Sequence, residues 1–150
     1  MSTPSWTRAR RRVPEHAQGL LDTSVVLDLS RIDPDHLPPE VAVSTVTLAE
    51  LAAGPHATDD PAERARRQDQ LQRAEAIFDP LPVDGPVARA YGRVYAAVRS
   101  AGRKARGRRA FDLLIAAIAL AAELPLYTRN PDDFSELEGL VEVVAVEAGR

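Results

Sequence analysis

LLDTSVVLDLS, residues 20–30, decides the fold. Leu20 and Leu21 open a buried strand, and Val25, Val26, Leu27 and Leu29 carry the apolar character onward. Asp22, Thr23 and Ser24 stand between them, although an unpaired carboxylate is costly to bury. LLDTSVV reads as a strand followed by a turn, with Asp22 toward the strand's end. Where strands alternate with helices, the sheet is parallel, is covered on both faces, and carries its site at the carboxyl ends of the strands.

The rest of the chain has that alternation. VAVST (41–45), PLYT (125–128) and LVEVVAV (140–146) read as strands, and PLPV (80–83) can form a short one. The spacing predicts a helix over TLAELAAG (47–54), closed by Gly54. Asp60 and Pro61 open a second helix running to about Phe78, with Glu63 placed to complete a capping box. Its apolar face holds Leu71, Ala74 and Ile77/Phe78. Pro86 opens a third, with Val87, Tyr91, Val94 and Val98 as its stripe and Gly102 as its stop. AFDLLIAAIALAAEL (110–124) is apolar almost all round, as a buried helix is. SRIDPDHLPPE (30–40) is a polar, proline-rich connection, and no internal repeat occurs.

Composition bounds the function. At 150 residues the chain makes one domain, and 45% apolar with 27% charged residues excludes disorder over most of it. Without cysteine, disulfides and thiolate metal sites are excluded, so any metal is held by oxygen or imidazole. The longest apolar run, LLIAAIALAA (113–122), is too short to span a bilayer. The arginine cluster RARRR (8–12) is followed by VPEHAQG, not by the apolar core of a signal peptide. These features describe a soluble, cytoplasmic protein. Residues 1–18 lack apolar periodicity and read as a disordered arm, or as an artefact of the assumed translation start, ahead of a domain over 19–150. A net charge of −3 excludes a generally basic nucleic-acid binder. The charges are nonetheless uneven. RSAGRKARGRR (99–109) holds six basic residues in eleven, and Lys104 is the only lysine in the chain. Arginine's planar fork matches phosphate oxygens, although codon bias in a GC-rich genome also explains the excess.

Asp22 has carboxylate company at similar positions. Glu50 follows VAVST within one helical turn, Asp112 begins the buried helix, and Asp132 and Asp133 follow PLYT after Arg129 and Asn130. If the fold gathers these ends, the carboxylates repel strongly at low dielectric. A divalent cation among them relieves that repulsion. Oxygen ligands without Cys or His point to Mg²⁺ or Mn²⁺, which suits phosphoryl chemistry. Each residue also has a structural reading. Asp22 can cap the turn after its strand, and Glu50 can close a capping box with Thr47. Asp112 can complement the helix dipole, and Asp132 and Asp133 can cap a short helix. Asp28 reads as a solvated helix residue, and His16, His36 and His56 lie in polar loops or the arm without a role.

LLDTSVV, TLAEL, FDLLIAAIAL and YTRNPDDF together resemble, in order and spacing, the motifs of PIN-domain ribonucleases. They are most similar to the VapC-type toxins of bacterial toxin–antitoxin pairs, over about Leu20 to Val146. The resemblance implies a single-domain, three-layer α/β/α sandwich on a parallel sheet, and Mg²⁺- or Mn²⁺-dependent endonucleolytic cleavage of RNA by metal-activated water. Asp22, Glu50 and Asp112 match the family's acidic positions. In its T-x-N-x-x-D-F pattern both Asn130 and Asp133 fall on patterned positions, and Asp133 is taken as the fourth acid with Asn130 as a polar neighbour. Asp132 does not match. The implied roles are direct metal holding by Asp22 and Asp112, with Glu50 and Asp133 acting through water or completing a second site. Ser24 becomes a neighbour that caps or bonds the carboxylates. Arg103, Lys104, Arg106, Arg108 and Arg109 become candidate contacts to RNA phosphates; a solvated loop is the plain alternative. The family also implies an antitoxin partner laid over the helices at 47–54 and 61–78, and pairing into homodimers or toxin–antitoxin hetero-oligomers. Two other function classes remain: a non-catalytic PIN-like module that binds nucleic acid or a partner, and a phosphotransfer domain with Asp22 as acceptor. The second is disfavoured because Lys104 lies in a basic loop rather than after a later strand.

Overall fold

The computed structural model describes residues 15–105 and 107–147. Most of the arm expected over 1–18 therefore lies outside the described residues, as do Arg8 to Arg12 and Arg106. Four strands, β1 (Gln18–Leu21), β2 (Glu40–Ala42), β3 (Leu126–Thr128) and β4 (Val143–Ala145), form one parallel sheet in the order β2-β1-β3-β4. Five helices accompany them: α1 (Thr23–Leu27), α2 (Thr45–Ala53), α3 (Pro61–Ile77), α4 (Gly85–Ser100) and α5 (Arg108–Ala122). This is the α/β/α architecture that the strand–helix alternation implied, in a single domain.

Alternation along the strands divides the core. Leu20 and Leu126 face one side of the sheet and join the buried stripes of α4 (Val87, Ala90, Val94, Val98) and α5 (Leu113, Ile115 to Ala119). Leu21 and Tyr127 face the other side, with Val25, Ile32, Val43 and Val146. Gly19 is needed for that second face. A Cβ there would lie 2.4 Å from Cε1 of Tyr127, so only glycine lets the ring cover β1. α3 is different in kind. Only Ala74 of it is buried, and Ile77, expected on its apolar face, is 68% exposed.

Several boundaries differ from the sequence expectation. VAVST does not stay extended to Thr45, because Ser44 turns the chain and caps α2, its hydroxyl accepting from the Thr47 N–H at 3.0 Å. PLPV supplies only a single parallel bridge, Leu81 to Ser44. LVEVVAV is extended only over Val143–Ala145. Leu140 and Val141 instead hydrogen-bond back to the Leu137 carbonyl, at the end of the 3₁₀ turn Pro131–Leu137. Glu63 does not close a capping box on Asp60; it pairs with Arg66 and Arg67. Among the described residues no helix is long and apolar enough to cross a membrane.

Candidate active site

β1 lies between β2 and β3, so the chain reverses its direction of travel across the sheet beside the end of β1. Crevices at such switch points hold the ligands of open α/β sheets. Asp22 stands there, with Thr128 ending the neighbouring strand. Asp22 is buried, 4% exposed, and caps α1 through Val25 N–H at 3.2 Å. The capping reading of Asp22 is thus correct as local structure. The Ser24 hydroxyl donates to the same oxygen at 2.5 Å. Ser24 in turn accepts the backbone N–H of Arg129 at 3.0 Å, tying the loop after β3 to the site. Burial pushes the Asp22 carboxyl above its ordinary value, opposed by the bonds from Ser24, Thr128 and the backbone.

Glu50 approaches from α2. The capping box expected with Thr47 does not form, since Ser44 is the cap and Glu50 lies almost two turns inside the helix. Its carboxylate instead accepts the Thr23 hydroxyl at 2.7 Å. Thr23 also touches Thr47 Oγ1 at 3.0 Å, and Thr47 lies 3.3 Å from Ser44 Oγ. A layer of hydroxyls, Ser24 and Thr128 under Asp22 and Thr23 and Thr47 under Glu50, thus supports the acids. Ser44 and Thr128 were not singled out by number in the sequence, and Thr47 was read only as a capping partner of Glu50. Their only signal there was polar residues in segments otherwise suited to the core.

Asp112 comes from α5. That helix begins at Arg108, two residues earlier than expected, because Gly107 at φ +65° starts it. Asp112 is therefore past the first turn, which weakens the dipole reading. Its carboxyl is pushed up to about 6 by burial first, then by the charges of Glu50, Asp22 and Asp133. Arg109 opposes the shift. Asp133, exposed in the first turn of Pro131–Leu137, thus acts on Asp112. Asn130 precedes that turn without a side-chain capping bond, and its backbone N–H donates to Thr128 Oγ1 at 3.0 Å.

The donor set is carboxylate and hydroxyl oxygen, chemically suited to a small hard cation. After burial, repulsion from the other carboxylates contributes to the raised Asp112, and Arg109 offsets only part of it. No three of the four acids have oxygens within 4.8 Å of one another; among the described residues that spacing occurs only at Glu15, His16 and Glu142. There, His16 and Glu142 form an ordinary exposed pair at 3.0 Å. A cation shared by the four would be reached with intervening water or by side-chain rotation.

The basic segment is partly committed elsewhere. Arg103 and Arg109 both reach one oxygen of Glu136, at 2.8 and 2.6 Å, and the Glu136 side chain is 4% exposed. The other Glu136 oxygen and the Arg109 Nε are buried without partners, so a small rotation would make the pair bidentate. Lys104 is exposed; Arg106 lies outside the described residues. Asp28, expected to be solvated, instead accepts from the Arg129 guanidinium.

Comparison with known proteins agrees with this geometry. A model of the PIN domain matches residues 19–140. The chain is 38% identical over 135 residues to "Ribonuclease VapC5" of Mycobacterium tuberculosis, covering 87% of this chain and 96% of that protein. It is 40% identical over 103 residues to "Ribonuclease VapC8" of the same organism, covering 67% of this chain and 89% of that one. Among solved structures it is similar to VapBC-5, a member of the VapBC family of toxin–antitoxin systems from Mycobacterium tuberculosis. The TM-score there is 0.74 at 38% identity, over 89% of this chain and 100% of that one.

Proposed function

The chain belongs to the PIN-domain family, and from that premise we propose that it is the toxin of a toxin–antitoxin pair, an endoribonuclease that hydrolyses RNA phosphodiester bonds in the cytoplasm. The reading takes Mg²⁺ as the cofactor, with Mn²⁺ able to replace it. One observation carries it: Asp112 sits partly buried within the field of Glu50, Asp22 and Asp133, carboxylates from three other parts of the chain that add to the effect of burial in raising it to about 6. Asp22 and Asp112 would hold the ion, with Glu50 and Asp133 completing the set. When bound, the ion would polarise a phosphate oxygen and lower the pKa of an attacking water.

The chain's own residues prepare the rest. Ser24 orients Asp22, and Thr23 orients Glu50, each by donating a hydroxyl proton to the carboxylate. With carboxylates so placed, no side-chain nucleophile is required. Exposed Lys104 is placed to meet the RNA backbone, while Arg103 and Arg109 stay paired to Glu136 unless RNA draws them away.

An apolar groove of about 490 Å³ beside Glu50 suits the antitoxin. Leu27 and Phe111, each 46% exposed, stand on it with Ala49, Ala53 and Ala57. An antitoxin segment with apolar side chains would cover them, in a hetero-oligomer built on a toxin homodimer.

The experiment is cleavage of total RNA by the purified protein with Mg²⁺, with Mn²⁺ and in EDTA. Cutting with either ion and none in EDTA is the expected result. Equal cutting in EDTA contradicts the metal assignment. No cutting under any condition favours the non-catalytic binding module.

A further inference from the structure

A second cleft, of about 390 Å³, opens against α1, α3 and the loop after β3, and shares Leu27, Arg66 and Gln70 with the groove beside Glu50. Ser24 belongs to its wall and to the Asp22 network at once. Arg66 and Gln70 enter from α3, and Arg129 and Asn130 from the loop. Six of its seven lining residues are polar or charged, with Leu27 the apolar one, and its volume falls in the range of small-molecule sites. Resting on the ribonuclease reading above, we infer that this cleft holds a nucleotide flanking the scissile phosphate, whose base edge meets Gln70 and Asn130 and whose charge meets Arg66 and Arg129.

The side chains are held in place yet keep groups to offer. Arg66 forks onto Glu63 through Nε and Nη2, at 3.0 and 2.5 Å. A guanidinium has five N–H donors, so three remain. That pairing lowers Glu63 to about 2, so Glu63 keeps its charge at any working pH. Arg129 is anchored twice, by its backbone N–H on Ser24 and its guanidinium on Asp28. Gln70 donates to the Leu27 carbonyl at 3.3 Å, which fixes the amide and leaves its oxygen as an acceptor. Amide side chains read base edges in pairs of donor and acceptor, and guanidinium planes stack on bases as well as bind phosphate. With only 5% aromatic residues in the chain, arginine is the available stacking surface. None of these four residues belongs to the acidic set, so the cleft separates choice of sequence from chemistry.

The test uses Gln70→Ala and Arg66→Ala on the full chain, with thermal melting to show that both fold. The readout is the ladder of cut sites on a defined structured RNA, together with KM and kcat. The expected result is a redistributed ladder in each variant, with KM raised roughly five- to tenfold and kcat changed less than KM. An unchanged ladder in both variants overturns the assignment, whatever happens to binding. If the parent cuts no RNA, the ribonuclease reading fails first. Binding of short single-stranded RNA in EDTA then decides the cleft: weaker binding in both variants keeps it, and equal binding removes it.

Discussion

Asp22 and Glu136 both withdraw their carboxylates from solvent and are treated in opposite ways. Asp22 is buried as a whole residue, and Glu136 is half-buried with its side chain turned inward. Glu136 is met by two arginines. Asp22 is met by hydroxyls and backbone N–H groups, and its charged neighbours are other acids. A buried charge is tolerable when compensated and costly when not. The chain has arginines in abundance and places two at Glu136. At Asp22, Glu50, Asp112 and Asp133 the chain supplies only the partial compensation of Arg109 at Asp112. The first arrangement holds a loop in place; the second is the one proposed above to bind a cation.

The largest expected effect tests the second arrangement. Asp22→Asn and Asp112→Asn should each lower RNA cleavage about a hundredfold or more, since a metal site supplies several kcal/mol to the transition state. A variant that cuts like the parent removes that residue from the site. Glu136→Ala comes next. It strands two guanidinium groups, one of them 18% exposed, and should lower the unfolding free energy by about 2–4 kcal/mol in urea titrations. A loss within error of zero would make the Glu136 cluster a surface ion pair. Asp22→Asn should sharpen the contrast: without divalent ions it should melt no lower than the parent, because it removes a charge the fold disfavours.

The smallest effect is on pH. Asp112 is raised from 3.8 to about 6, so between those values the folded chain binds a proton that the unfolded chain has released. Stability from this group is present at low pH and is lost as pH rises through about 6. In EDTA the melting temperature should therefore fall from pH 5 to pH 7.5, and Asp112→Asn should flatten the slope. Glu63, lowered to about 2, acts in the opposite sense but only below its ordinary 4.5, outside this window. A parent whose melting temperature rises across the window would contradict the raised Asp112.

Much of the fold was legible because its signals are local. The β1 and β3 strands and the α4 and α5 stripes follow from apolar spacing, and they fix the parallel sheet. The start of α2 was misplaced because VAVST is β-branched throughout, while Ser44 caps by a bond that spacing does not reveal. The tail strand was overlong because Leu140 and Val141 are apolar to serve the core, not the sheet. Within the candidate site, residue types were legible and proximity was not. Nothing in the sequence places Asp112 beside Glu50, 62 positions away. For the same reason the Glu136 cluster was invisible: its arginines come from 33 and 27 positions earlier and read equally well as RNA contacts.

The central claim is that Asp22, Glu50, Asp112 and Asp133 share one divalent cation. Calorimetric titration of the full chain with Mn²⁺, in the parent and in the Asp22→Asn/Asp112→Asn double variant, tests it without any RNA. The account predicts saturable binding by the parent that the double variant loses. Binding of equal strength in the double variant, or none in the parent, would contradict it.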